Sequence, residues 1–322
     1  QYRDYLKYYT TCMLNRNKIR HLYTYDAEFI ETMTKSVAFH SYKGGTGKST
    51  ISANLSASLA RRGFTAVLLD LDVYAPSLQD YFQWQPKKSI NDYLFENATV
   101  DEVIHDLTPV LTKFPSNNGE KSDSKGKLLV GFSSTSKDEI YKLDGAVRQE
   151  GSKIQLLRKF LMLREEIVSN YNADFVIIDT SPGIRYWSIN SLAIADTILL
   201  SLKLDGIDLK GTRLLAKEIY ESLTKLGTKS YLLLNRAAGY CLPPSLVGEN
   251  TSSNQELYNT TVSNQSMVIS KLNEDIGMET ILSIPCYCDI QFDSNEFLTA
   301  LRFPDHPFAA KIDALIEKLG KI

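Results

Sequence analysis

The stretch that most limits how this chain can fold is HSYKGGTGKST (40–50), which concentrates three glycines and two lysines. An apolar triple, residues 37–39, precedes the glycines and predicts a short buried strand over 36–41. The residues behind them, STISANLSASLARR (49–62), place apolar side chains four apart, which predicts a helix that ends at Gly63. A glycine-rich turn between a strand and a helix is the setting that a phosphate-binding loop requires.

The residues of this loop suit the binding of a phosphate chain. Glycines let the backbone wrap closely and turn its N–H groups inward, and the N-terminus of the next helix adds partial positive charge. Gly47, Lys48 and Ser49 end the pattern G-x-x-x-x-G-K-[ST], whose lysine reaches the β- and γ-phosphates and whose hydroxyl ligates Mg²⁺. Tyr42 stands where the pattern has its first glycine, and a second lysine, Lys43, follows. The alternative, a glycine-rich turn with incidental lysines, is disfavoured by the flanking strand and helix.

Composition indicates an ordinary α/β protein. The chain has 322 residues, of which 43% are hydrophobic and 23% charged, enough for one large domain or two small ones. A net charge of −2 gives no overall attraction to nucleic acid or anionic lipid. We read no signal peptide in QYRDYLKYYTT and no membrane-spanning run, and four cysteines in so long a chain indicate a reducing compartment. We therefore expect a cytoplasmic protein.

Apolar strands alternate with helices along the rest of the chain. We predict strands over 65–70, 127–132, 174–179, 196–202, 230–235 and 279–285, and helices over 152–171, 206–226 and 306–320. Near-continuous apolar strands between helices indicate a parallel sheet that is covered on both faces. The predicted fold is therefore α/β, a doubly wound and mainly parallel sheet with helices on both faces, whose ligands bind at the carboxyl ends of the strands.

Carboxylates follow two of the predicted strands. One strand ends on Asp70, with Asp72 close behind, and another ends on Asp179. A single aspartate at such a place is more often a helix cap or a turn residue, but two in one chain with a phosphate-binding loop favour Mg²⁺. Our candidate metal residues are Ser49, Asp70 and Asp179. Gly183, which follows Asp179, would lend its amide to a γ-phosphate.

Four motifs together resemble the deviant Walker A ATPases, the MinD/ParA group that is related to the Mrp, nitrogenase iron-protein and arsenical-pump ATPases. They are KGGTGKST (43–50), DLDVYAPSL (70–78), VIIDTSPG (176–183) and LLNR (233–236). The resemblance covers about residues 36–320. It implies a P-loop ATPase domain over 36–322 behind an N-terminal arm over 1–35, with loop insertions at about 113–126 and 237–264.

The resemblance also implies a role for each matching residue. In that family the extra lysine of the loop crosses a nucleotide-sandwiched dimer and touches the partner's phosphates, and Lys43 matches it here. Asp72 would position the attacking water, which makes Lys43, Lys48 and Asp72 the implied catalytic set. Thr50 would face the α-phosphate, and Asn235 would read the adenine edge. The implied nucleotide-binding residues are Gly44, Gly45, Thr46, Gly47, Lys48, Ser49, Thr50, Gly183, Asn235, Arg236 and Pro285.

Two departures from the family pattern stand out. Ser181 occupies a position where many relatives have proline or alanine. After Pro285, relatives usually place an aspartate two residues on, whereas this chain continues CYCD (286–289). We read His40, beside the loop, as a hydrogen-bonded residue at a strand end. We interpret the final helix, 306–320, as a docked structural helix rather than a membrane anchor, because its polar face mixes lysine with acidic residues.

The implied function is that of a slow, Mg²⁺-dependent ATP hydrolase that is activated by dimerisation or by a partner. It would serve as a nucleotide switch for intracellular positioning or partitioning. The implied ligands and partners are ATP, Mg²⁺, a second copy of the chain and an unidentified protein cargo. State-dependent association with DNA or membrane would also fit the family, although the net charge does not support it.

Two alternatives stay open at this point. Cys286 and Cys288 favour an Mrp-like carrier that inserts an iron–sulfur cluster or a metal, although a Cys-x-Cys spacing is unlike the usual thiolate sites. Six tyrosines within the first 25 residues favour, more weakly, a P-loop protein-tyrosine kinase.

Overall fold

Eight strands form one sheet in the computed structural model of this chain, which describes residues 34–95, 97–114, 126–136, 138–139, 141–142, 152–224, 227–237, 266–287, 289–290 and 298–322. The strands are β1 (Lys35–His40), β2 (Thr65–Leu71), β3 (Ile104–Asp106), β4 (Lys127–Gly131), β5 (Phe175–Thr180), β6 (Thr197–Leu202), β7 (Lys229–Ala237) and β8 (Thr280–Pro285). They lie in the order β3-β4-β2-β5-β1-β6-β7-β8, and each neighbouring pair is parallel except β3 with β4. The predicted doubly wound, mainly parallel fold is confirmed.

The helices lie between these strands, and those predicted over 49–62, 152–171 and 306–320 match the structure closely, whereas the helices over 186–192 and 266–276 were not predicted. In chain order they include α1 (Lys48–Arg61), α2 (Leu78–Phe82), α3 (Ile90–Leu94), α4 (Val100–Val103), α5 (Thr108–Leu111), α6 (Ser152–Tyr171), α7 (Tyr186–Leu192), α8 (Gly206–Leu215), α9 (Glu221–Thr224), α10 (266–276), α11 (Thr299–Arg302) and α12 (Pro307–Lys321). A π-helical turn, Ala216–Tyr220, joins α8 to α9. The predicted helix over 206–226 is therefore present as far as Thr224, where the described residues pause, with an irregular turn that apolar spacing does not reveal.

Two hydrophobic cores lie on opposite faces of the sheet, because successive side chains of a strand point to opposite sides. In β1, Ala38 belongs to the core that also contains residues of α6, α7 and α8, whereas Val37 and Phe39 belong to the core with α1 and α12. In the first core, Phe160 and Trp187 meet edge to face with ring centroids 5.7 Å apart. The sheet is thus covered on both sides, as near-continuous apolar strands require.

The final helix, α12, packs onto the body of the protein. Its apolar face is buried, including Ile312 and Leu315. Lys35 Nζ donates to Leu319 O at 2.8 Å and so ties the last turn of the helix to the start of β1. The interpretation of a docked structural helix is therefore confirmed. In the part of the chain that the structure describes, every helix is either too short or too polar to cross a bilayer.

Some sequence predictions differ from the structure at their edges or lie outside it. β1 begins at Lys35, so this residue belongs to the sheet and not to the predicted arm over 1–35. Residues 1–33, with their tyrosines, are outside the described residues, as are Cys288 and most of the two predicted insertions, 113–126 and 237–264.

Candidate functional site

The glycine-rich loop joins β1 to α1, which begins at Lys48. Gly45 and Gly47 have φ angles of 72° and 84°, which glycine adopts without the steric cost that a Cβ brings. Gly47 also faces the side chain of Asn235, and a Cβ at this position would overlap Nδ2 of that amide. Position 47 therefore requires glycine for two reasons: its backbone conformation, and the lack of space for a Cβ beside Asn235.

The loop is held by residues of two neighbouring strands. Thr46 O accepts hydrogen bonds from Asn235 Nδ2, at 2.8 Å, and from Ser201 Oγ, at 3.0 Å. Asn235 lies in β7 and Ser201 in β6. The other end of the Asn235 amide is fixed as well, since Oδ1 accepts from the backbone N of Arg236 at 2.9 Å. Asn235 thus supports the loop directly, and the contacts of Asn235 and Arg236 with adenine stay predictions.

The motif lysine, Lys48, is buried inside this loop with 6% of its surface exposed. Its Nζ donates to Ser41 Oγ at 3.1 Å, and Ser41 Oγ in turn donates to Lys43 O at 2.6 Å. A buried ammonium needs nearby negative charge. Asp179 supplies it, because its carboxylate interacts electrostatically with Lys48 and accepts a hydrogen bond from the Ser49 side chain. The structure therefore brings together Lys48, Ser49 and Asp179.

Asp70 and Asp179 are register partners at the carboxyl ends of β2 and β5, and both are buried. Burial raises the pKa of Asp179 to about 6, although the charge of Lys48 opposes this. Burial, followed by the charges of Asp179 and Asp72, raises the pKa of Asp70 well above its usual value. Asp70 Oδ2 and Asp179 Oδ1 accept no hydrogen bond from the described residues. Paired buried carboxylates with unsatisfied oxygens, next to Ser49, fit a divalent cation such as Mg²⁺.

Asp72 lies directly behind β2 and is also largely buried. Its Oδ1 accepts hydrogen bonds from Ser181 Oγ at 2.7 Å and from Ala75 N at 3.2 Å. Its own backbone N donates to Asp70 Oδ1 at 3.1 Å, which places it beside the carboxylate pair. The sequence marked Ser181 only as a departure from the family pattern, and its bond to Asp72 is a contact that the sequence did not predict.

Two other predicted phosphate contacts are occupied by protein groups in this structure. Gly183, with φ of 80°, donates its amide to Ser41 O at 2.8 Å. Thr50 Oγ1 shares a hydrogen bond of 2.6 Å with Tyr81 OH. The Gly183 amide would have to exchange this partner for a phosphate oxygen, whereas the Thr50 hydroxyl can donate to phosphate while it accepts from Tyr81 OH. Both roles stay predictions.

His40 lies at the end of β1, below the loop. Its Nδ1 is 2.8 Å from Thr180 Oγ1, whose hydroxyl donates to Phe39 O at 2.8 Å. Because that hydroxyl hydrogen is committed, Nδ1 of His40 is the donor to Thr180 Oγ1. Burial and then the charge of Lys48 lower the pKa of His40 to about 3, which keeps the ring neutral. The interpretation of a hydrogen-bonded histidine at a strand end is confirmed.

The second lysine of the loop, Lys43, is only half-buried, and its charge acts on Asp205 and Asp208, around the start of α8. Between and beside these aspartates lie two exposed apolar side chains, Leu204 and Ile207, with 37% and 67% of their surface accessible. Lys43 therefore borders an exposed surface, in contrast to the buried Lys48.

The predicted base-binding edge is formed by the end of β8. Pro285 is buried there, and the next residue, Cys286, donates its backbone N to Ala237 O at 3.0 Å. The thiol of Cys286 is partly exposed and forms no disulfide with a described residue. Within the described ranges, no three or more histidine, cysteine or acidic side chains cluster so as to hold a metal. Such a cluster is not needed for Mg²⁺, which keeps water and phosphate oxygens among its ligands.

Comparison with known proteins agrees with this geometry. Residues 34–231 match the model of a family described as AAA domain. The flagellum site-determining protein YlxH of Helicobacter pylori is 29% identical over 167 residues, which cover 52% of this chain and 47% of that protein. The cytosolic Fe-S cluster assembly factor CFD1 of Candida albicans is 26% identical over 184 residues, which cover 55% of each. The chain thus spans about half the length of these curated relatives.

Solved structures share the fold. The crystal structure of the cell division ATPase MinD from Pyrococcus furiosus superposes with a TM-score of 0.62, covering 90% of this chain and 99% of that one. The two sequences are 19% identical, so this likeness concerns the fold.

Proposed function

This chain belongs to the AAA domain family and to the MinD/ParA-like type of P-loop ATPases, and from that membership we propose that it is a Mg²⁺-dependent ATPase that dimerises around ATP and acts as a nucleotide switch. Its role would be to position or partition a cargo in the cytoplasm. The names of YlxH, a site-determining protein, and of MinD, a cell division ATPase, support this role.

The observation that carries the proposal is the group of Lys48, Ser49 and Asp179 at the mouth of a glycine loop. Lys48 and the loop amides would hold the phosphates, while Ser49, Asp70 and Asp179 would hold Mg²⁺ directly or through water. The ion, when bound, supplies positive charge to the phosphate oxygens. It would also satisfy Asp70 Oδ2 and Asp179 Oδ1, the carboxylate oxygens that accept no hydrogen bond from the described residues.

Asp72 is the residue that we assign to the attacking water. It lies beside the carboxylate pair, and one of its oxygens is fixed by Ser181 and Ala75. A carboxylate held in this way orients a water molecule and accepts its proton as the bond to phosphorus forms. Turnover at a lone P-loop of this kind would be slow, since further positive charge must reach the transferring phosphoryl group.

Lys43 would bring that charge to a second copy of the chain. Its side chain is partly exposed, and its charge acts on Asp205 and Asp208. A face-to-face partner would cover the exposed apolar side chains beside these aspartates, Leu204 and Ile207. The ammonium would then reach the partner's phosphates, as an arginine finger does. Dimerisation would depend on ATP, and hydrolysis would end it, so that cargo recognises one nucleotide state.

Chromatography with light scattering tests the proposal directly. We expect a monomer without nucleotide or with ADP, a dimer with ATP and Mg²⁺, and a specific ATPase rate that rises with protein concentration. A monomer in all three conditions, with a rate per chain that does not depend on concentration, would contradict the switch. Binding to DNA and to anionic vesicles, measured in each state, then identifies the surface on which the cargo is positioned.

One relative favours a second candidate function. CFD1 is an iron–sulfur cluster assembly factor, and this chain has a partly exposed thiol at Cys286 that is not in a disulfide with a described residue. A carrier of this kind would retain iron and sulfide after anaerobic purification. Metal and sulfide analysis, repeated on Cys286→Ser, separates the two functions, because a positioning ATPase needs neither.

A further inference from the structure

We propose that Ser181 is a positioning residue for ATP hydrolysis: its hydroxyl fixes one oxygen of Asp72 and leaves the other for the attacking water. This inference rests on the proposed function, in which Asp72 orients that water.

The two oxygens of the Asp72 carboxylate have different surroundings. Oδ1 accepts from Ser181 Oγ at 2.7 Å and from Ala75 N at 3.2 Å, which accounts for its two lone pairs. Oδ2 receives no hydrogen bond from the described residues, and 8% of the surface of Asp72 is exposed. The carboxylate thus has one oxygen that is held by the protein and one that is available to a water molecule.

The donor is itself rigidly placed. Ser181 is fully buried and follows Thr180, the last residue of β5, whose hydroxyl donates to Phe39 O in β1. A hydroxyl that donates to a carboxylate forms a short, charge-assisted hydrogen bond, which is stronger than a bond between neutral groups. The bond therefore restricts the rotation of the Asp72 side chain more than the weak bond from Ala75 N does alone.

A second contact joins the same two loops. The guanidinium carbon of Arg185, behind β5, lies 4.1 Å from the ring centroid of Tyr74, behind β2. This cation–π distance is well within the range of an attractive interaction. Two contacts therefore join the loop that carries Asp72 to the loop that carries Ser181. Together they limit the movement of Ser181 relative to Asp72.

The expected consequence is a specific loss of turnover. Without the hydroxyl, Asp72 samples more orientations, and fewer bound complexes hold the water in line with the γ-phosphate. We expect Ser181→Ala to lower kcat on the order of tenfold, as expected for loss of a hydrogen bond to a charged group. The KM and the dissociation constant for ATP should stay unchanged, because Ser181 touches neither the loop amides nor Lys48 in the structure.

Ser133→Ala is the matched control. Ser133 is also fully buried, near the same end of the sheet, and its hydroxyl donates to the backbone carbonyl of Asp70 at 3.0 Å. The control loses the same atom and one hydrogen bond but leaves the Asp72 carboxylate untouched. Steady-state hydrolysis and calorimetric ATP binding are measured for both variants and for Asp72→Ala.

Each outcome decides between the alternatives. A tenfold loss of kcat in Ser181→Ala alone, with unchanged ATP affinity, supports the inference. Full turnover in Ser181→Ala, or a loss that Ser133→Ala shares or that follows weaker ATP binding, overturns it. Asp72→Ala separates this from the proposed function: if that variant turns over like the parent, the role of Asp72 fails and the inference fails with it. If it is inactive while Ser181→Ala is fully active, only the inference fails.

Discussion

The ring of Tyr42 occupies the space beside Gly211, where a Cβ on Gly211 would overlap the ring atoms. Tyr42 stands at the first glycine position of the loop pattern, and Gly211 lies in α8, on the helix that follows β6. Tyr42 thus places a large side chain where the loop pattern has glycine. Gly211, on the facing helix, has no side chain and leaves room for that ring. This pair connects the nucleotide loop to α8.

Alanine substitutions test this contact: the one at Gly211 adds a Cβ beside the ring, and the one at Tyr42 removes the ring. We expect Gly211→Ala to lower the free energy of unfolding by about 1–3 kcal/mol through overpacking, although alanine is the better helix former. The same Gly211→Ala change should cost less in a Tyr42→Ala background, where the ring that the new Cβ meets is absent, than in the parent. Urea unfolding measures both. Gly206→Ala is the control, since it lies in the same helix with open space around its Cβ position; equal stability of the two glycine variants would contradict the contact.

The two positive-φ glycines of the loop should respond differently to alanine. Gly45→Ala introduces about 1–2 kcal/mol of backbone strain and meets no atom within 4 Å. Gly47→Ala adds an overlap with the Asn235 amide to similar strain. We therefore expect the loss of ATP affinity, measured by calorimetry, to be at least tenfold larger for Gly47→Ala. In an Asn235→Ala background, the additional loss that Gly47→Ala causes should shrink toward the loss seen for Gly45→Ala, because the overlap is gone. Identical losses at both glycines in the parent would be inconsistent with the structure.

Lys43 and Lys48 should be separable by their effects on binding and turnover. Lys43→Ala should leave ATP affinity within about twofold of the parent and remove the part of the rate that rises with protein concentration, on the order of 10³-fold, as for an arginine finger. Lys203→Ala is a matched control, because its charge also acts on Asp205 but it lies outside the loop. Unchanged, concentration-dependent turnover in Lys43→Ala would disprove a role across the dimer.

The raised pKa of Asp179, about 6, predicts a pH dependence of stability. Between about pH 4 and 6 the folded nucleotide-free protein holds a proton that the unfolded chain releases, so the free energy of unfolding falls as pH rises through this range. Two pKa units correspond to about 3 kcal/mol. Asp179→Asn lacks this loss and should gain about that much on the parent between pH 4 and pH 8 in urea unfolding.

A comparison of the two curves reports Asp179 together with the part of the raised pKa of Asp70 that the charge of Asp179 causes, and both contributions have the same sign. His40, whose pKa is lowered, contributes the opposite trend in both proteins and largely cancels in the difference. Curves that stay parallel over this pH range would show that the carboxyl is not raised. Mg²⁺ with ATP should remove the difference, because a bound cation favours the ionised carboxylate.

The sequence predicted every strand except β3 and most of the long helices, although α10 was missed. Apolar spacing located α6 and α12 to within a residue or so, and the rule that ligands meet the carboxyl ends of parallel strands placed Asp70 and Asp179 together. The short pieces β3 and α2 to α5 were missed, because three to five residues carry too little periodicity to be distinguished from a loop.

The contacts inside the site could not be predicted in the same way. Ser181 is 109 residues from Asp72, and Asn235 is 189 residues from Thr46. Whether such side chains meet depends on strand order and on rotamers, neither of which a single sequence reveals. Ser181 was visible as an exception to a pattern, and Tyr42 likewise, but only the folded chain shows the partner that each exception contacts.

The hydrogen bonds that Asn235 and Ser201 donate to the carbonyl of Thr46 have a thermodynamic consequence. Because two strands already hold the loop in shape before any nucleotide arrives, little backbone entropy is lost when ATP binds, and more of the contact energy appears as affinity. These two hydrogen bonds come from β6 and β7, and α8 and α9 connect these two strands. A displacement of those helices would therefore reach the loop by two routes, through the carbonyl of Thr46 and through the contact between Tyr42 and Gly211.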